Sequence, residues 1–202
     1  MPSPGPRGTE RGPVVRYDQE LRLSVPDQPF PDQPFPGLTT IELCTARLAL
    51  RAWTSEEVSA VTGGARLAHW AGDFPADGDR VIAGLVAETP SAFGEYGQRQ
   101  IVERATGLVV GSAGLFWPPA GGAVEFGYGV VPSRRGRGYA TEAARALVAF
   151  ALTAPGVDRV TASAETSNPA SVRVLENAGL RRVEGDVDGD VDGDAETVRY
   201  TT

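Results

Sequence analysis

Pro132–Ala144 reads PSRRGRGYATEAA, and the reading of this stretch decides how the chain is organised. Arg134, Arg135 and Arg137 are interleaved with Gly136 and Gly138, directly before an alanine-rich run. Positions 140, 143, 144, 147, 148 and 151 are Ala, Ala, Ala, Leu, Val and Ala. That is helical spacing, so a helix with one apolar stripe is expected over Thr141–Leu152. Its small side chains allow close approach to a sheet. The first amides of a helix have no intrahelical acceptor, and glycines ahead of them leave their approach open. Free N–H groups at the positive end of a helix dipole make an anion cradle.

Three cradle patterns compete for this stretch. A Walker loop needs G-x-x-x-x-G-K-[ST], and all 19 basic residues of the chain are arginine. A dinucleotide fingerprint needs a third glycine where Thr141 stands. The pattern R/Q-x-x-G-x-G/A is met at every position by Arg135-Gly136-Arg137-Gly138-Tyr139-Ala140. The arginines themselves read either as phosphate contacts or as solvated loop charge.

Upstream, AVEFGYGVV (123–131) reads as a strand. Val124, Phe126, Tyr128 and Val130 form a bulky apolar face, opposite Glu125, Gly127, Gly129 and Val131. Two glycines on one strand face mark the close approach of a ligand or another backbone. Further strands are expected at 46–53, 99–104, 108–116, 159–165, 180–185 and 197–202, with helices at 55–62, 79–88 and 169–178. Thr54 and Glu57 form a capping-box pattern. Asn168-Pro169 starts the last helix and Gly179 closes it. The order predicts an α/β (α+β) domain, mostly antiparallel, with the central helix carrying a crossover between strands 123–131 and 159–165.

The remaining segments bound the function. Residues 1–38 are rich in Pro, Gly and charge and repeat PDQPF at 26–30 and 31–35, which reads as a disordered or loosely docked tail ahead of one domain at 39–202. The acidic run GDVDGDVDGDAE (185–196) resembles a calcium loop, but Arg199 stands where the bidentate Glu belongs, so it reads as a solvated loop. One histidine (His69) and one cysteine (Cys44) argue against a metal site and exclude an intrachain disulfide. His69 shows no partner in the sequence. The net charge of −7 argues against a nucleic-acid partner. No apolar run approaches ~20 residues and no signal peptide is apparent, which gives a cytoplasmic expectation with no membrane partner. Trp53 and Trp70 read as core, and Trp117 as core or as lining of a ligand site.

The R-x-x-G-x-A loop resembles motif A of the GNAT superfamily of N-acetyltransferases. EFGYGVVPSRRGRGYATEA (125–143) looks like the strand, loop and helix of the ribosomal-protein N-terminal acetyltransferase (RimJ/RimL-like) type. TARLALRAWTSEEVSAV (45–61) and SNPASVRVLENAGLRRV (167–183) resemble its opening and closing motifs, so the likeness covers roughly residues 41–201. The resemblance implies a splayed, V-shaped sheet flanked by about four helices, with acetyl-CoA as cosubstrate and no metal. The strand at 123–131 is expected to bulge and part from its neighbour.

The site residues follow from that resemblance. Arg135, Gly136, Arg137, Gly138, Tyr139, Ala140 and Thr141 would form the pyrophosphate cradle, with Arg134 adding charge. The Val130 amide would bond the thioester carbonyl, and Asn168, besides capping its helix, would bond the pantetheine arm. Glu125 reads as proton acceptor for the amine through water, as an anchor for a cationic substrate, or as surface charge. Ser171 needs a hydrogen-bond partner, either the cofactor sulfur or a carbonyl in its own helix. The expected activity is acetyl transfer from acetyl-CoA to a primary amine, a peptide N-terminus or a small molecule, by direct attack in a ternary complex. A CoA-binding sensor module with degenerate catalysis is the alternative. A monomer or homodimer is expected, and residues 63–79 and 90–98 are expected to line the acceptor site.

Overall fold

The computed structural model describes residues 42–188 and 197–202. The expectations for residues 1–38, and for the acidic loop beyond residue 188, lie outside the described residues. The elements run β1 (Leu43–Cys44), β2 (Leu48–Ala52), α1 (Ser55–Thr62), α2 (Asp77–Glu88), β3 (Gln98–Glu103), β4 (Leu108–Ala120), β5 (Ala123–Val130), α3 (Tyr139–Ala151), β6 (Arg159–Glu165), α4 (Pro169–Asn177), β7 (Arg181–Asp188) and β8 (Thr197–Thr201). One sheet takes all the strands in the order β1-β2-β3-β4-β5-β6-β8-β7. Every neighbouring pair is antiparallel except β5–β6. This is the mixed, mostly antiparallel α/β architecture with four helices that the sequence predicts. Among the described residues no helix is long and apolar enough to cross a membrane.

The parallel pair decides the shape of the sheet. β5 and β6 pair only at Ala123–Arg159, Val124–Val160 and Glu125–Thr161. Beyond Glu125 the two strands diverge, so the sheet opens in a V. The expected bulge in β5 is absent: its register against β4 runs without a shift from Glu125–Phe116 to Val130–Gly111. The opening therefore comes from divergence of β5 and β6 alone, and Glu125 stays on the same face as Gly127 and Gly129.

Each face of the sheet carries a layer. Ile101, Ala113, Leu115 and Phe126 share one face, buried under α3, whose Ala143, Ala144, Leu147 and Ala151 are fully buried. The other face carries Gln98, Gln100 and Ser112 and is covered by α2. Burying apolar side chains on the α3 side contributes roughly 25 cal/mol per Å² removed from water.

Several boundaries differ from the sequence reading. β7 runs on to Asp188, so the first four residues of the expected acidic loop, Gly185 to Asp188, belong to a strand. The two-residue edge strand β1 carries no periodicity to detect. α2 begins at Asp77, because Asp79 reaches back to the Ala76 amide (2.9 Å) in place of an N-cap side chain. α3 begins at Tyr139, since Gly138 in the left-handed region (φ +78°) supplies the cap. β4 continues to Ala120 through an irregularity after Phe116, which accommodates Pro118 and Pro119, residues without a ladder N–H.

Candidate functional site

A tight turn over Pro132–Arg134 leads from β5 into α3. Gly136 (φ +73°) and Gly138 follow in the left-handed region, which side chains rarely adopt. The first bond of the helix runs from the Glu142 amide to the Gly138 carbonyl, 3.0 Å. The amides of Tyr139, Ala140 and Thr141 thus precede the ladder and have no helical acceptor. A Cβ at Gly136 would meet nothing within 4 Å, so the backbone there is open to a ligand. An open groove of about 660 Å³ adjoins the cradle, with Arg47, Gly138, Thr141 and Arg145 on its walls.

The loop is anchored from beneath by Glu103 at the end of β3. Its carboxylate accepts from Tyr139 Oη (2.6 Å), Thr106 Oγ1 (2.6 Å) and Arg134 Nε (3.4 Å), and Arg137 lies 3.6 Å away. The Thr106 and Tyr139 hydroxyls, helped by Arg134, hold the Glu103 carboxyl below the usual range. Arg135 Nε donates to the Val130 carbonyl at 3.0 Å. Arg47 donates to the Arg137 carbonyl (2.8 Å) and lies 4.8 Å over the Tyr139 ring. Asp73 accepts from the Ser133 amide and hydroxyl, tying segment 63–76 to the loop. The arginines thus make structural bonds within and beneath the loop, a third use beside the two expected for them.

The cradle leads into the V. Val131 N donates to Val110 O (2.9 Å) on the β4 side. Backbone directions alternate along a strand, so the Val130 N–H faces the opposite edge, towards β6, where pairing has ended. Asn168 caps α4, accepting from the Ser171 amide at 3.1 Å. The Ser171 hydroxyl bonds Tyr128 Oη, 2.8 Å away across the opening, rather than a carbonyl of its own helix. Tyr128 Oη also lies 3.1 Å from the Ser171 carbonyl. Burial pushes the Tyr128 phenol up to about 12, against the lowering effect of the Ser171 hydrogen bond. Glu125 is exposed at the closed end of the V, on the other face, and accepts from Ser163 Oγ at 3.1 Å.

The structure thus brings Val130, Asn168, Ser171 and the 135–141 loop to one opening, with Glu125 at its far end. Sequence reasoning missed Tyr128, Glu103 and Arg47. Tyr128 counted only as apolar bulk, although it was the one hydroxyl on that face. His69 does have a partner: its Nε2 lies 2.8 Å from Glu57, which also holds Arg51. Burial would raise the Glu57 carboxyl, but Arg51, the Thr54 amide and His69 outweigh it and hold it at about 2. Trp53 and Trp70 are core residues as expected, and Trp117 stacks on Tyr96 (centroids 4.4 Å). Cys44 is exposed on the edge strand. Among the described residues no group of three or more His, Cys, Asp or Glu is arranged to hold a metal.

A curated protein of Bacillus subtilis (strain 168), described as the uncharacterized N-acetyltransferase YjdG, is 36% identical over 80 residues. That match covers 39% of this chain and 48% of the relative, so the chain spans about half the length of the curated relative it matches. In fold the chain resembles a GNAT-family acetyltransferase of Bacillus anthracis (TM-score 0.60, 19% identity, 80% of this chain and 98% of that one). It equally resembles RimL, a ribosomal L7/L12 alpha-N-protein acetyltransferase in complex with coenzyme A (TM-score 0.59, 17% identity, 80% and 97%). Residues 47–181 match the family described as acetyltransferase (GNAT) domain, from β2 through the cradle and the opening to the start of β7. The chain belongs to the GNAT acetyltransferase family.

Proposed function

We propose that the chain is an acetyl-CoA-dependent N-acetyltransferase of the RimJ/RimL-like type. It moves the acetyl group to a primary amine, a peptide N-terminus or a small molecule, by direct attack in a ternary complex. The observation that carries this reading is the continuity of two features. The open cradle at Gly136–Thr141 leads directly into a gap where β5 has a free backbone edge. A ligand with an anionic head and an amide-bearing arm fits both.

Coenzyme A supplies the acetyl thioester when bound. The amides of Tyr139, Ala140 and Thr141 hold its pyrophosphate. Asn168 bonds the arm, and the Val130 N–H donates to the thioester oxygen as charge develops there. Tyr128, aligned by Ser171, stays protonated at neutral pH and gives its proton to the departing sulfur. Glu125 stands four residues from Gly129 on the same face, roughly 13 Å along the strand. It therefore orients the cationic acceptor and does not touch the reacting nitrogen.

Residues 39–202 form the catalytic unit, acting in the cytoplasm as a monomer or homodimer. Calorimetric titration with acetyl-CoA, followed by an amine panel with free-thiol detection, tests the reading. Binding in the micromolar range and thiol release with at least one amine are expected. No binding at millimolar acetyl-CoA overturns the proposal. Binding without turnover on any amine turns it into a sensor module.

A further inference from the structure

The sheet face under α2 carries a polar row. Arg51, Gln100, Ser112 and Gly129 stand opposite one another across β2, β3, β4 and β5. Gln100 is 0% exposed, and Ser112 and Asp79 are each 3% exposed. Ser112 Oγ donates to Asp79 Oδ1 at 2.5 Å, while Asp79 Oδ2 accepts from the Ala76 amide. Neither polar atom of the Gln100 carboxamide has a hydrogen-bond partner. Polar groups this deeply buried are ordinarily paired, so the row has bonding capacity that the fold does not use.

The row ends at open space. A Cβ at Gly129 would meet nothing within 4 Å, whereas at Gly114, in the adjoining row, it would collide with Gln98. Gly129 directly precedes Val130, whose N–H faces the V. Directly opposed Cα atoms in antiparallel strands are ~4.5–5.5 Å apart, so the Ser112 hydroxyl borders the space over Gly129. Its proton is donated to Asp79, which leaves its lone pairs for another donor.

We propose that Ser112, backed by Asp79, receives the proton of the incoming amine in the space over Gly129. This rests on the acetyltransferase reading. The acceptor arrives as an ammonium group and donates an N–H to Ser112 Oγ. One proton passes from nitrogen to Ser112 as the Ser112 hydroxyl proton passes to the Asp79 carboxylate. The nitrogen lone pair then forms the C–N bond, the C–S bond breaks, and sulfur leaves with the electron pair. Tyr128 gives the departing sulfur its proton, the second nitrogen proton restores the Tyr128 phenol, and Asp79 returns its proton to solvent.

Burial pushes the Asp79 carboxyl up to about 6, against the Ser112 and Ala76 hydrogen bonds. A carboxylate in that range is a better base near neutrality than an ordinary one. The charges acting on it are Arg80 of α2 and Arg135 of the loop, with Arg51 in the same row. Ser112 touches the amine, and Asp79 acts through it as a positioning residue.

The test is the pH profile of kcat/KM for the full chain and four variants, with acetyl-CoA and the best amine of the panel. Ser112→Ala and Asp79→Asn are each expected to lose roughly 10²-fold in kcat/KM with acetyl-CoA affinity kept. Asp79→Asn should also lose the acid limb near pH 6, and Ser112→Thr should recover part of the rate. Glu125→Gln should keep the limb and raise KM for the amine. An acid limb that survives in Asp79→Asn, or vanishes in Glu125→Gln, overturns the proposal. So does a Ser112→Ala rate within twofold of the parent, and the two serine variants carry the test if Asp79→Asn fails to fold. If the parent binds no acetyl-CoA, the acetyltransferase reading falls; if it turns over and the variants match it, only the proton route does.

Discussion

The hydroxyls of Tyr128 and Ser171 lie 2.8 Å apart, one on β5 and the other on α4, across the gap where β5 and β6 have parted. The bond joins the two walls of the opening. It also orients a phenol that burial keeps protonated. Tyr128→Phe removes the donor without changing the packing of the ring, so kcat should fall on the order of 10²-fold with little change in KM for acetyl-CoA. Ser171→Ala leaves the phenol undirected and should cost less. Because the two act as a unit, the double variant should be little worse than Tyr128→Phe alone. A fully additive cycle, measured by free-thiol release, would assign the two hydroxyls separate roles.

Glu103 touches none of the expected ligand-binding backbone, yet it anchors Tyr139, Thr106 and Arg134 beneath the loop. Glu103→Gln keeps the size and loses the charge that holds the arginine. Charge-assisted hydrogen bonds contribute ~1.5–3 kcal/mol, so acetyl-CoA affinity should fall about tenfold as the loop loosens. Arg134→Ala should fall by less, because Tyr139 and Thr106 still hold Glu103. Titration calorimetry of both variants measures this order, and the reverse order would make Arg134 a direct phosphate contact.

The two glycines of the cradle should respond differently. Both have positive φ, which costs an L-residue ~1–2 kcal/mol. At Gly136 a new Cβ meets open space, while at Gly138 it comes within 3.4 Å of Arg47 Nη2 and sits at the cap of α3. Gly136→Ala should therefore weaken acetyl-CoA binding modestly, and Gly138→Val should abolish it. Circular dichroism of both variants checks that the helix itself survives.

The cradle and the opening differ in how far the sequence revealed them. The Arg135–Ala140 spacing, the apolar stripe of α3 and the Asn168-Pro169 start are local patterns, and local patterns survive in a string of letters. The stop in β5–β6 pairing after Glu125 is not local. It depends on where two strands 36 residues apart diverge, which no periodicity encodes. Tyr128 was masked by its alternation with Val124, Phe126 and Val130, which marks a face but not the hydroxyl across from it. The Ser112–Asp79 contact joins residues 33 apart on different elements. His69 has the same cause: its partner Glu57 already had a complete local explanation as a capping residue, so nothing in the sequence called for another bond.

Glu57 and Asp79 should give the fold opposite pH dependences. Glu57 is lowered from 4.5 to about 2, so it contributes stability above pH ~4.5 that is lost as pH falls towards 2. The full shift corresponds to roughly 3 kcal/mol, but its partners Arg51 and His69 are 28% and 44% exposed, which reduces this to about 1–2 kcal/mol. Asp79 is raised from 3.8 to about 6, so the folded state favours its protonated form and stability declines as pH rises across that window. That decline is about 3 kcal/mol for a carboxyl buried to this depth. Thermal unfolding of Glu57→Gln should lie several degrees below the parent at pH 7 and converge with it towards pH 2. Asp79→Asn should do the reverse, gaining on the parent between pH 4 and 7. Parallel unfolding curves for the parent and Asp79→Asn over that interval would mean that the Asp79 carboxyl titrates where an exposed one does, and that the polar row under α2 is open to water.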